Sequence, residues 1–136
     1  MNRTIKFRGL RTDGKGWVYG DLKRVNDNRF GGQWTYIWVD TDEVEDSGEE
    51  IQVEPHTVGQ FTGIHDMNGV EIYEGDRVRH NDNIFVVKYS ENQHVLLLRV
   101  ENDKGMNWRS LQWLAKMSKY CKVIGNTHTQ DGGKEG

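Results

Sequence analysis

The chain has 136 residues, 18 Lys and Arg against 21 Asp and Glu, and five Trp, five Tyr and four Phe. That length suits one domain, or two small ones sharing a core. The lone Cys121 excludes an intrachain disulfide and fits a reducing compartment. No apolar run approaches the ~20 residues of a membrane-spanning helix. Met1 to Phe7 lacks the apolar segment of a secretion signal, so the expectation is a soluble, cytoplasmic protein with no membrane partner.

The net charge of −3 hides an asymmetry. Residues 1–30 hold eight Lys and Arg against three Asp and Glu, and residues 40–54 hold eight acidic side chains and no basic one. Opposed charge of this kind favours head-to-tail contact between copies, or a basic face for a polyanion.

In chain order, Ile5-Lys6-Phe7-Arg8 alternates apolar and charged and reads as a strand with one wet face. Asp13-Gly14 marks a hairpin turn, and Trp17 to Leu22 is the returning strand. In Gln33 to Val39, Trp34, Tyr36 and Trp38 fall on one face and Thr35, Ile37 and Val39 on the other. A strand apolar on both faces is central in a sheet or lies at an interface, and a row of aromatics could also stack bases. Residues 40–50 form an acidic loop. Its Asp-x-Asp-x-Glu start lacks the glycine that a calcium loop needs, because Asp46 stands there. Ile51 to Glu54 resumes alternation, and Pro55 ends it at a seam between two halves.

The central stretch is the best marked. Strands are expected near 57–64 and 70–73, joined by a tight turn at 66–69. Asn68-Gly69 suits the positive φ that a type I′ turn requires at both central positions. Gly75 can adopt conformations closed to other residues, and Asp76 can bond the backbone nearby. Arg77-Val78-Arg79 opens another strand, followed by a turn at 80–83. Ile84 to Tyr89 and His94 to Val100 form a very apolar hairpin around Ser90 to Gln93. Trp108, Leu111, Leu114 and Met117 recur every three residues, which predicts one short helix near 108–117 with Ser110 as a cap. Cys121 to Asn126 is the last strand, with Cys121 a buried and inert thiol. The expected fold is mainly β: an N-terminal β subdomain (1–56), a small SH3-like β-barrel (57–128) and a flexible tail (129–136).

Chemistry is sparse. His56, His65, His80, His94 and His128 stand singly, with no zinc-ligand spacing, and no metal or cofactor is expected. There is no phosphate-cradling glycine loop before a helix and no Gly-x-Ser-x-Gly elbow. Glu71, Glu74 and Asp76, with His65, are the sole candidates for acid-base work, and carboxylates at a hairpin base usually serve turns.

Ile5 to Gly9, Trp17 to Leu22, Thr57-Val58-Gly59-Gln60-Phe61-Thr62-Gly63, Asp66-Met67-Asn68-Gly69, Ile72-Tyr73-Glu74-Gly75-Asp76 and Val123-Ile124-Gly125-Asn126 together resemble the YopX family of phage and prophage proteins. The resemblance spans nearly the whole chain apart from the acidic loop and the tail. It implies barrel-type, oligomer-forming proteins of bacterial mobile elements, and it supplies no catalytic residue. The motif residues are mostly turn formers.

The leading expectation is therefore a self-assembling accessory protein that contacts a partner macromolecule, with Trp34, Tyr36 and Trp38 as the interface. The alternative is a small-barrel nucleic-acid-binding module. There Arg3, Lys6, Arg8 and Arg11, with Lys15, Lys23 and Arg24, would contact phosphates.

Overall fold

A computed structural model describes residues 5–27, 29, 32–40, 48–101 and 107–128. Arg3, most of the acidic loop (41–47) and the tail (129–136) lie outside these. The chain divides into two compact units, Met1–Gln60 and Phe61–Gly136. The boundary falls inside a strand, a few residues beyond the seam expected at Pro55. Among the described residues, no helix is long and apolar enough to cross a membrane.

The first unit contains β1 (Phe7–Leu10), β2 (Trp17–Asp27), β3 (Gly32–Asp40), β4 (Gly48–Gln52) and the first two residues of β5 (Gly59–His65). Its strands lie in the order β4-β3-β2-β1-β5, all antiparallel. Strand β2 pairs with β1 through residues 17–20 and with β3 through residues 21–27. The β1–β2 turn places Gly14 and Gly16 at φ of 80° and 105°. Alternation in β3 sends Thr35 and Ile37 into the interior, where Ile37 joins Val18 and Val53 as the core. Four residues read as acidic loop instead belong to strands: Asp40 ends β3, and Gly48, Glu49 and Glu50 belong to β4, opposite Asp40, Val39 and Trp38. After β4, Pro55–Thr57 form one 3-10 turn. Thr57 Oγ1 accepts the Leu10 N–H at 2.9 Å and donates to the Glu54 carbonyl at 2.6 Å, fixing the turn to β1.

The second unit takes the rest of β5, then β6 (Glu71–Tyr73), β7 (Asp76–His80), β8 (Asn83–Ser90), β9 (Val95–Val100), β10 (Trp108–Ser110), α1 (Leu111–Met117) and β11 (Cys121–Asn126). Strands β7 to β10 form a meander, and β11 returns to pair with β7, giving the antiparallel order β10-β9-β8-β7-β11. Ile72, Val78, Phe85, Val87, Leu98, Leu114 and Cys121 form its core. The fold is mainly β with one short helix, as the sequence implies.

Two local expectations change. The helix begins at Leu111, because Trp108–Ser110 pair with β9 as a strand. Ser110 is still its cap, with Oγ accepting the Trp113 N–H at 3.1 Å. The turn at 66–69 is not type I′, since Gly69 has φ 81° but Asn68 does not have positive φ. Gly69 N–H bonds the Asp66 carbonyl at 3.0 Å, so a type I turn is closed by a left-handed glycine, the commonest three-residue hairpin solution.

One ion pair in this unit has a bidentate geometry. Arg77 donates Nε to Glu101 Oε2 and Nη2 to Oε1, both at 2.8 Å, with both side chains largely shielded. The guanidinium hydrogen bonds hold the Glu101 carboxyl below the ordinary glutamate range. A depressed carboxylate stabilises above its unfolded pKa and loses that contribution as pH falls through its folded pKa. Glu101→Gln should therefore lower stability by about 1–2 kcal/mol at neutral pH. The gap to wild type should close in acid, which urea unfolding across a pH series would measure.

Candidate functional site

The glycine- and carboxylate-bearing motif of the central stretch is built into the backbone. Asp66 is only 6% exposed. Its Oδ1 accepts the N–H groups of Asn68 (2.8 Å) and Val70 (2.9 Å), and its Oδ2 accepts that of Val123 (2.8 Å) in β11. Met67 N–H adds a bond to the Cys121 carbonyl at 2.9 Å. One carboxylate thus shapes the hairpin and clasps it to the last strand.

Asp76, 2% exposed, does similar work. Its Oδ2 accepts the Tyr73 N–H at 2.8 Å, closing the Tyr73-Glu74-Gly75-Asp76 corner. Gly75, at φ 95°, donates to the Val87 carbonyl and accepts from Thr127. Gly63, at φ 86°, sits in the bulge where β5 slips against β6. Gly59 and Gln60 pair with Arg8 and Phe7. Asn126 Oδ1 accepts the His128 N–H, and Gly125 lies at a register shift against β7.

Two of the three candidate carboxylates, Glu71 and Asp76, have separate tasks. Glu71 accepts from the Tyr73 hydroxyl at 2.9 Å, and Asp76 holds backbone. His65 lies edge-on to Phe61. Among the described residues, no three His, Cys, Asp or Glu side chains gather as a metal-holding group. Burial raises the Cys121 thiol, which donates to the Met117 carbonyl at 3.2 Å.

Two outward sheet faces remain. In the first unit, Trp34, Tyr36 and Trp38 share the face opposite the core, with Trp34 42% exposed. Cross-strand register sets Val25 beside Trp34, Lys23 and Gln52 beside Tyr36, and Asp21 and Glu50 beside Trp38. Lys23 and Glu50 form an ion pair across it, and Trp38 Nε1 donates to Asp40 at 2.7 Å. Alternation along β2 adds Trp17 and Tyr19 to this face. Their contribution was readable from the sequence by the same alternation.

The proposed polyanion contacts fare unevenly. Arg8 is 5% exposed, with its guanidinium 4.2 Å from the centre of the Trp17 ring. Arg11 is bound to Asp13 at 2.7 Å. Lys6 is half-buried, and Arg3 lies outside the described residues.

The second face was not singled out in the sequence. Paired residues in antiparallel strands point to the same side. Register therefore aligns Lys122, Arg79 and Ile84 in one row, Arg77, Val86, Arg99 and Trp108 in the next, and Lys88, Leu97 and Ser110 in a third. This is the side opposite the Val78, Phe85 and Leu98 core; Arg79, Lys88, Lys122 and Trp108 are exposed on it, while Val86 in the middle row is buried. The clue was the period-two charge of Arg77 and Arg79. Beside Trp108 the same face opens into a cleft of about 290 Å³ walled by Ser90, Asn92, Gln93, Leu97 and Ser110.

The model of the YopX protein family matches residues 6–131. The chain belongs to the YopX family. No curated protein sequence matches this YopX chain. Among solved structures, it is similar to protein EF1440 from Enterococcus faecalis, with 19% identity and a TM-score of 0.48. That match covers 93% of this chain and 95% of the other.

Proposed function

We propose that this YopX chain is a non-catalytic accessory protein of a bacterial mobile element, working in the cytoplasm. Copies of it assemble through the outward aromatic face of β2, β3 and β4. The observation that carries the reading is the row Trp34, Tyr36 and Trp38 on a face away from the core, with Trp34 and Tyr19 exposed. Isolated soluble domains rarely expose contiguous aromatic surface, and Trp and Tyr dominate interface energetics. Lys23, Asp21 and Glu50 border the row, so the patch carries both signs of charge. A two-fold axis can then set cation against anion on both sides of the contact.

The motif residues Asp66, Asp76 and Asn126 support a scaffold role, because their side-chain oxygens accept backbone N–H groups. The second unit reads as a small SH3-like barrel. Its four-strand meander, a helical turn and a fifth strand returning to the first support that reading, and such barrels commonly present surfaces to macromolecules.

Sedimentation tests the assembly directly. Wild type should run at a multiple of 15.8 kDa, and Trp34→Glu should shift it towards the monomer with unchanged circular dichroism. A wild type that stays at the monomer mass at every concentration would refute the reading.

A further inference from the structure

From the outward face of the β7–β11 sheet, we infer a binding surface for single-stranded nucleic acid. The strand's backbone crosses Lys122, Arg79, Arg99 and Lys88, and one base stacks on Trp108 in the adjoining cleft. This surface lies in the second unit and is independent of the aromatic face of the first.

Charge placement is the first argument. Lys122 stands directly opposite Arg79 in the β11–β7 ladder. Like charges in that position destabilise a sheet unless an anion lies over them. Arg79, Lys88 and Lys122 are exposed, and the three aligned rows contain no acidic residue. Glu101, which reaches Arg77 on this face, is held by it. The chain's net charge of −3 does not cancel this. Charges more than about 8 Å away are largely screened at physiological salt, so the local sign decides.

The ring and cleft are the second argument, and they choose among polyanions. Trp108 is 39% exposed, and the Arg99 guanidinium lies 5.9 Å from its ring centre. An aromatic beside a cation is the stacking platform that sequence-tolerant single-strand binders use. The cleft offers Leu97 as an apolar wall and Ser90, Asn92, Gln93 and Ser110 as hydrogen-bonding groups for a base edge. Five strands spaced about 4.8 Å apart span roughly 19 Å from β11 to β10, room for a short stretch of backbone. A duplex keeps its bases stacked inside and gives Trp108 nothing to hold. An acidic peptide would satisfy the cations and leave ring and cleft unused.

Fluorescence anisotropy of a labelled oligothymidylate, titrated with wild type over a salt series, tests the surface. Binding should weaken with salt, with each phosphate contact adding about 0.7 to the steepness of log K against log salt. The combined variant Arg79→Gln, Lys88→Gln, Lys122→Gln should flatten the slope by about 2. Trp108→Ala should weaken binding roughly ten- to a hundred-fold with the slope unchanged, and Trp108→Phe should recover most of it. If the alanine variant does not fold, quenching of wild-type tryptophan fluorescence by the oligomer reports the stacking instead.

The inference is overturned by any of four results. These are no binding in dilute buffer, equal affinity for a duplex of the same length, displacement by polyglutamate as effective as by unlabelled oligomer, or neither an affinity loss in a folded Trp108→Ala nor quenching in wild type.

Discussion

Asp66→Ala should remove about 3–5 kcal/mol of stability, a large share of the 5–15 kcal/mol that holds a typical domain folded. The substitution leaves the N–H groups of Asn68, Val70 and Val123 without their acceptor. A stranded donor costs about 1–3 kcal/mol when buried and less where water reaches it, as at the part-buried bonds of Asn68 and Val70, and the lost bonds were charge-assisted. Asp66→Asn separates the two ends of the clasp. Its amide oxygen can serve either the turn or Val123, and its NH2 then faces a donor at the other. About half the alanine loss is expected. Urea unfolding gives both numbers, and a change below about 1 kcal/mol for alanine would show that the clasp carries little energy.

Gly20→Ala should be nearly as damaging for a different reason. An added Cβ would lie 2.0 Å from the Trp38 carbonyl oxygen and 3.1 Å from its carbon. Those are backbone atoms of the neighbouring strand, so no rotamer change relieves the overlap. Strand β3 must shift where β2 passes from pairing with β1 to pairing with β3. A loss of about 3 kcal/mol or more follows, at or above the upper end for overpacking. Gly14→Ala is the control. Its φ is 80°, but the space is open, so the cost should be about 1 kcal/mol, from backbone conformation alone. Equal losses at the two glycines would refute the steric account.

What the sequence disclosed depended on whether the signal was local. Strand β3 was legible because Thr35 and Ile37 alternate with Trp34, Tyr36 and Trp38, and the pleat turns that alternation into two faces. Strand β11 was legible for similar reasons. The helix start was misread because Trp108 happens to lie three residues before Leu111. It points outward from a strand, and its spacing matched the helical period by coincidence. The turn type escaped because Asn68 can adopt positive φ, and the Asp66 carboxylate, by accepting its N–H, favours the other geometry.

The candidate surfaces show the same limit more sharply. A tally of charge over residues 1–30 adds Arg8 and Arg11 to a basic face. It is blind to the burial of one, its guanidinium against the Trp17 ring, and the capture of the other by Asp13. The cations of the second unit come from strands far apart in the chain. Only the ladder register brings Lys122 opposite Arg79.

The bond from Val123 to Asp66 spans 57 positions, and this has a consequence for biogenesis. On the ribosome, the hairpin and the β7–β10 meander can emerge and pair locally. Their closing partner, Cys121–Asn126, is synthesised after all of them. Until it emerges, one side of β7 and Oδ2 of Asp66 lack their partners, so the nascent unit passes through an open, adhesive stage that the arrival of β11 must end.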